Sequence, residues 1–238
     1  MDCSSGIQKT QEARAPRLMF SSMTDVDKNK INHPVWALVI KRIFDVVFSL
    51  SVLLAVWPLI FAAAVAVKMS SPGPIFYRGL RSGLHGRTFR ILKFRTMVVN
   101  AEALGGPTTG SNDPRVTRVG SFLRRTKLDE FPQFFNVLMG DMSLVGPRPE
   151  VLEYTSQYEG EEKLIFSMRP GITDYASIKF ADLDDLVGRD DPDKFFREHI
   201  LPTKNALRLR YVKEWSLGSD FAILWATFRR VLRRVVNP

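Results

Sequence analysis

From Val46 to Val67 the chain reads VVFSLSVLLAVWPLIFAAAVAV, 22 residues without a charge. A helix of that length reaches across the hydrocarbon core of a bilayer. The alternative is the core helix of a soluble protein, and a single uncharged run this long argues against it. Pro58 stands near the middle, where its missing N–H and its ring predict a kink. Basic residues flank both sides: Lys41 and Arg42 before the run, and Lys68, Arg78 and Arg81 after it. Lys and Arg concentrate in cytoplasmic segments, so both ends are expected on the cytoplasmic side. A re-entrant helix, bent at Pro58 and leaving by the face it entered, satisfies both conditions. A bend at membrane depth frees backbone groups that need partners. Ser49 and Ser51 are near, but neither adjoins Pro58, so the pattern favours dipping while leaving spanning open.

The rest of the pattern is shorter in period. Residues 1–34 are polar, with little apolar periodicity, and read as a flexible tail. The membrane-embedded helix is placed at 35–69 and a cytoplasmic domain at 70–238. SSPGPIFYRG ends the helix in a turn. IFYRG and TFRILKFRTM read as short strands joined by LRSGLHGR, a hairpin with glycines at the bend. GGPTTGSNDP is loop, and GPRPE is an extended link whose prolines restrict the residues before them. RVGSFLRRT, QFFNVLMG and EVLEYTSQYEGEEKLIFSM read as helices. DLDDLVGRDDPDKFFREH is acidic and turn-rich, a solvated surface.

Towards the C-terminus Phe221, Leu224, Trp225, Phe228, Leu232 and Val235 recur at helical spacing, opposite Arg229, Arg230, Arg233 and Arg234. That is the composition of a helix lying in a membrane interface. A core-facing helix with solvated arginines shows the same pattern, and the apolar run upstream tips the balance towards the interface. The fold class expected is α+β and mostly helical. It combines a proline-kinked re-entrant helix with a small domain holding a short β-hairpin and amphipathic interfacial helices.

Charge narrows the function classes. The 238 residues are 45% hydrophobic and carry a formal net charge of +9. An excess of that size implies an anionic partner: a phosphate-bearing substrate, an acidic membrane surface or nucleic acid. Between Val46 and Ala101 there is no Asp or Glu; the first acid is Glu102. Cys3 is the only cysteine, which excludes an intrachain disulfide and a cysteine metal site and fits a reducing compartment. His33, His85 and His199 lie at no metal-ligand spacing.

Against this basic background KLDEFPQ places Asp129 beside Glu130, just after Arg115, Arg118, Arg124, Arg125 and Lys127. Acids suit the start of a helix, and Pro132 is tolerated in a first turn, so Asp129 could simply cap the helix that follows. Alternatively, one carboxylate performs chemistry while the other holds or steers a cation.

Several blocks in order bear on that choice: KRIFD, the apolar run with its proline, SPGPIFYRGLRSG, KFRTM, DPRVTRVGSFLRRTKLDEFPQFFNVLMGDMSLVGPRPE and RPGIT. From about Lys41 to Asp174 the chain resembles the bacterial sugar transferases, specifically the small monotopic phosphoglycosyl transferases. The resemblance implies transfer of a phospho-sugar from a nucleotide diphosphate sugar, UDP being the expected nucleotide, to polyprenyl (undecaprenyl) phosphate. It implies release of a nucleoside monophosphate and the start of bacterial glycan assembly. It assigns Asp129 as the nucleophile that forms a covalent phospho-sugar intermediate, and Glu130 as the ligand of Mg²⁺. It assigns Arg124, Arg148, Lys93 and Arg95 to substrate phosphates, and Pro58 to the break in the membrane helix. A carboxylate is a competent phosphoryl nucleophile, and guanidinium forks suit phosphate oxygens. Lys93 and Arg95, two residues apart, are expected on one strand face. Asp45 and Asp141 also fall in the blocks, where caps or structural salt bridges explain them equally well.

The implied setting is the cytoplasmic face of the bacterial inner membrane, with the phospholipid bilayer as a partner, no nucleic acid, and a homo-oligomer left open. Two departures stand out. Trp57 precedes Pro58 where the family commonly has serine, and DYASIKFADLDD follows RPGIT where glycine and a glutamine-containing stretch are common. Two other classes remain for comparison. One is a non-enzymatic basic protein anchored to the membrane as a binder or scaffold. The other is a single-strand nucleic-acid binder, using Phe76, Tyr77, Phe89 and Phe94 among the arginines.

Overall fold

The computed structural model describes residues 31, 33–105, 113–181 and 192–236. Most of the expected tail, most of the GGPTTGSNDP loop and the first ten residues of the acidic stretch lie outside the described residues. The end of the tail is docked. The His33 ring meets Trp215 edge-on at 4.9 Å, its Nε2 lies 2.9 Å from the Val212 carbonyl, and Ile31 packs on the same core.

Helix α1 runs from Val35 to Ser70 as one element with Pro58 inside it. Its buried positions are Ala37, Lys41, Asp45, Ser49, Leu53, Ala63 and Val67, a stripe repeating mostly every four residues. Three of these are polar, while Leu54, Trp57 and Phe61 on the other face are more than 60% exposed. A soluble core helix is the reverse, apolar inside and polar outside. Only 17% of the most apolar window is buried, so the buried core helix is not what α1 is; by length and composition it could cross a membrane.

The polar stripe ties α1 to the domain. Lys41 Nζ donates to Asp220 Oδ2 at 2.6 Å and to the Val145 carbonyl at 2.9 Å. Asp45 accepts from Ser143 Oγ at 2.7 Å and from the Leu144 amide at 3.1 Å. Arg42 donates to the Val137 and Leu138 carbonyls, at the open C-terminal end of a second helix. The first basic flank is therefore committed to the protein itself.

The hairpin forms in two stages. Strand β1 (Phe76–Tyr77) and β2 (Leu80–Ser82) lead up; β3 (Thr88–Arg90) and β4 (Lys93–Phe94) lead down. β2 pairs with β3 and β1 with β4, antiparallel, with Phe76 opposite Phe94 and Tyr77 opposite Lys93. Phe94 and Phe89 are buried in separate apolar clusters, so these rings pack the core and are not offered to bases.

Helix α2 (Arg118–Arg125) is capped by Thr117, whose Oγ1 accepts the Gly120 amide. Helix α3 spans Gln133–Met139 and ends at Gly140 (φ +92°). Both match the expected segments. Two strands were not expected: β5 (Ser143–Val145) and β6 (Gly171–Thr173) pair in parallel, Ser143 opposite Gly171 and Val145 opposite Thr173. Their ends touch so closely that a Cβ at Gly146 would lie 2.3 Å from the Arg169 carbonyl, and one at Gly171 2.1 Å from the Gly146 nitrogen.

The helix expected over EVLEYTSQYEGEEKLIFSM is broken. It comprises α4 (Leu152–Thr155), a turn, and a 3₁₀ segment Gly160–Ser167. Gly160 takes φ +49°, and the break lets Tyr158, Ile165 and Phe166 gather in one cluster. Helix α5 covers Tyr175–Lys179. Helix α6 (Pro192–Phe195) passes through a π turn, Phe196–Ile200, into α7 (Leu201–Glu214). Helix α8 (Leu217–Val236) follows, with Phe221, Trp225, Phe228 and Leu232 each at least half exposed.

Candidate active site

The two carboxylates sit in a 3₁₀ turn, Leu128–Glu130, between α2 and α3. Lys127 takes a left-handed conformation (φ 59°, ψ 14°) and swings the chain out of α2. Helix α3 starts only at Gln133, with Pro132 in the cap position, so Asp129 caps nothing. Instead its side chain is buried, and Oδ1 has no hydrogen-bond partner. A buried polar atom in that state costs about 1–3 kcal/mol, so it calls for a ligand-dependent explanation.

Glu130 is placed differently. Its Oε1 accepts from Lys93 Nζ at 3.2 Å and pairs with the Arg148 guanidinium. Burial pushes the Glu130 carboxyl up, but Arg148 first, then Lys93 and Lys127, outweigh it and hold it well below the usual carboxylate range. Asp129 moves the other way. Burial and then the charge of Glu130 raise it, against the opposing pull of Lys93, Lys127 and Arg124. Two neighbouring acids thus have their affinities for protons pushed apart, the pattern of a pair with divided roles.

Three cations come from three parts of the fold. Lys93 leaves β4 towards Glu130, and burial lowers its affinity for a proton against the pull of Glu130. Arg124, in the last turn of α2, donates through Nε to Thr96 Oγ1 at 2.9 Å. It makes no ion pair among the described residues. Arg148 stands just beyond β5 and also donates to the Ile172 carbonyl of β6 at 2.6 Å.

Arg95 does not share the place of Lys93. The Arg95 amide still donates to the Ile75 carbonyl at 2.9 Å in the register of β1 and β4, so the backbone stays extended and only the side chain departs. The Arg95 guanidinium turns to the C-terminus of α1, donating to the Pro72 carbonyl at 2.9 Å and the Ser71 carbonyl at 2.7 Å. Arg115 is likewise engaged, with Asp113 at 2.6 Å. Pro58 lies exposed inside α1 and is not among the residues that line the cleft. Asp141 accepts only a long bond, 3.4 Å, from Asn136, so it and Asp45 serve the framework.

All of these cations except Arg42 and Lys41 border one open cleft of about 2980 Å³, lined by fourteen Lys or Arg against five Asp or Glu. Behind the Arg148 loop lies a charged group that sequence reasoning left unassigned: Glu150, Asp174, Lys204 and Arg208. Only Glu150 fell within a matching block, and Asp174 opens the stretch that departs from the family pattern; nothing in the pattern around Arg208 distinguishes it from a solvated helix cation.

A buried Asp129 beside a half-buried Glu130 in a cationic cleft, next to a helix with a polar inner stripe and an apolar outer face, is the arrangement that any family assignment must account for. The family described as Bacterial sugar transferase matches residues 36–234. The chain is 41% identical over 203 residues to the UDP-glucose:undecaprenyl-phosphate glucose-1-phosphate transferase of Xanthomonas campestris pv. campestris, covering 82% of this chain and 39% of that protein. It is 38% identical over 205 residues to the UDP-N-acetylgalactosamine-undecaprenyl-phosphate N-acetylgalactosaminephosphotransferase of Aeromonas hydrophila (84% and 45%). A UDP-glucose:undecaprenyl-phosphate glucose-1-phosphate transferase of Caulobacter vibrioides is 37% identical over 195 residues (81% and 69%). The chain belongs to the bacterial sugar transferase family. It spans about two fifths of the length of the first of these relatives.

Proposed function

We propose that the protein transfers a sugar phosphate from a UDP-sugar to undecaprenyl phosphate at the cytoplasmic face of the bacterial inner membrane, initiating glycan assembly. The observation that carries this reading is Asp129: buried, with an unpartnered oxygen, next to an ionised Glu130 in a basic cleft. Asp129 attacks the sugar-bearing phosphorus, forming an acyl-phosphate and breaking the bond to the departing nucleoside monophosphate. An oxygen of the lipid phosphate then attacks the same phosphorus and frees the carboxylate. Arg148, Arg124 and Lys93 offset the negative charge of an anionic nucleophile meeting an anionic substrate. Burial keeps competing water from the intermediate.

The residues fit Mg²⁺. Mg²⁺ takes one or two carboxylates and completes its shell with phosphate and water. Both cations meet Glu130 through Oε1, which leaves Oε2 to a metal. No group of three or more His, Cys, Asp or Glu gathers among the described residues, which accords with an ion that arrives with the diphosphate. When bound it would neutralise phosphate charge. The exposed apolar face of α1 and the aromatic face of α8 support membrane contact, and we place α1 as a re-entrant helix bent at Pro58.

The test is a panel of nucleotide diphosphate sugars with undecaprenyl phosphate and Mg²⁺, scored by nucleoside monophosphate release. Asp129→Asn should abolish turnover, whereas Glu130→Gln should be severely impaired and partly recovered by added Mg²⁺. Mass spectrometry of enzyme held with donor and no acceptor should find a phospho-sugar adduct on the peptide containing Asp129. An active Asp129→Asn variant would sink the assignment, and a wild-type protein inert across the panel would return it to a membrane-anchored binder.

A further inference from the structure

Arg208, on α7, has no exposed side-chain surface, yet it does not touch the cleft. Its guanidinium donates to Glu150 Oε1 at 2.5 Å and to Asn205 Oδ1 at 3.0 Å, and its Nε lies 3.7 Å from Asp174 Oδ2. Lys204 adds a second cation 3.6 Å from Glu150. Both acids belong to the segments that carry the site. Glu150 is two residues past Arg148. Asp174 follows β6, and its Oδ2 accepts the backbone amide of Arg148 at 2.9 Å while Oδ1 accepts that of Ser177 at 2.6 Å.

Charges therefore alternate from α7 into the cleft: Arg208 and Lys204, then Glu150 and Asp174, then Arg148, then Glu130, then Lys93. Such a network is a poor device for stability, because desolvating each ion offsets most of the attraction, and well-packed apolar side chains usually serve as well. What it supplies here is geometry. Pro147 and Pro149 fix their own φ, and Pro149 holds Arg148 in an extended ψ, but the φ of Arg148 and its side-chain direction still need fixing.

We propose that Arg208 is a positioning residue of this site: through Glu150 and Asp174 it sets the loop 147–150 so that the Arg148 fork faces Glu130 and the donor phosphates. This rests on the transferase reading above for its catalytic consequence, but not for its structural one.

Two measurements separate them. The first is hydrogen exchange in the membrane-associated full chain. Arg208→Met should speed exchange in peptides covering 146–151 while leaving those of α3 unchanged. Unchanged exchange at 146–151 overturns the proposal. The second is a double-mutant cycle on donor KM. Arg208→Met should raise KM roughly tenfold when Arg148 is present and by less than about twofold in an Arg148→Ala background, since the coupling runs through Arg148. An equal rise in both backgrounds overturns the proposal, because a general loss of structure is indifferent to Arg148. Should Arg208→Met fail to fold, Arg208→Lys and Glu150→Gln carry both comparisons; the lysine keeps the charge and loses the fork, so it should show the same local pattern more weakly. Wild-type protein without turnover defeats the transferase reading alone, and the exchange result still decides the positioning role.

Discussion

Lys127 shows how backbone and charge combine at a single residue. Its left-handed conformation (φ 59°) is held by the Glu130 amide donating to its carbonyl at 3.3 Å, and this turn directs Asp129 inwards. A residue with a Cβ gives up about 1–2 kcal/mol there, with Asn tolerating it best after Gly. Lys127→Asn should keep thermal stability while weakening donor affinity several-fold, because the lost charge acts on both carboxylates. Lys127→Val should lower stability as well, measured by thermal unfolding, because a β-branched side chain fits the left-handed region worse than lysine does. Equal stabilities for Asn and Val would show that the turn tolerates any residue. Glu150 gives a pH test. Burial opposes its ionisation, but Arg208 and then Lys204 hold it down to about 2, from an ordinary 4.5. A depressed acid stabilises the fold above the unfolded value and loses that contribution as pH falls, here between about 4.5 and 2. Glu150→Gln should flatten the acid limb of a urea midpoint–pH curve across that window. Among single residues, the adjacent acids, Arg148 and Lys93 were legible from ordered blocks. Arg95 was legible as a cation bordering the cleft, but the turn of its guanidinium to the end of α1 was not, because that acceptor comes from distant sequence.

Elements carry the next set of decisions. The long apolar run, α2, α3 and the hairpin follow from local signals: a threonine cap, a terminal glycine, alternating strand positions and glycines at a bend. β5 and β6 have three residues each and pair across distant sequence, so no local period marks them. EVLEYTSQYEGEEKLIFSM has helix-forming residues, but packing of Tyr158 against Phe166, rings stacked 5.5 Å apart, overrides that propensity. Arg95 acts at this scale as a C-terminal anchor of α1, its guanidinium meeting the carbonyls of Val67, Ser71 and Pro72. Arg95→Ala should lower stability by about 1–3 kcal/mol by leaving those acceptors unmet. It should also leave the Mg²⁺ dependence of turnover unchanged; unfolding and Mg²⁺ titrations of the purified protein check both. A change in the Mg²⁺ optimum with normal stability would move Arg95 into the phosphate site after all.

At the scale of the whole molecule the question is how α1 sits in the bilayer. If it dips and returns, cysteines placed near Lys28 and near Ser111 should both react only from the cytoplasmic side. Labelling of the first from the opposite side would make α1 a spanning helix. Pro58→Leu restores the missing backbone bond and should shift the labelling towards crossing. The sequence by itself determined the apolar length of α1, the basic cleft-forming composition and the acid pair, because hydrophobicity, charge and residue type are properties of the chain read in order. It did not decide which cations would face that pair. By residue type and charge alone Lys41, Arg42, Arg95 and Arg115 are cations like Lys93 and Arg148, yet the first four close internal contacts and the last two meet Glu130. Only the tertiary structure makes that division, since a long cation's partner is whichever acceptor the fold brings within reach. Here the fold brings Glu130 to β4 and β5, and the open end of α1 to Arg95.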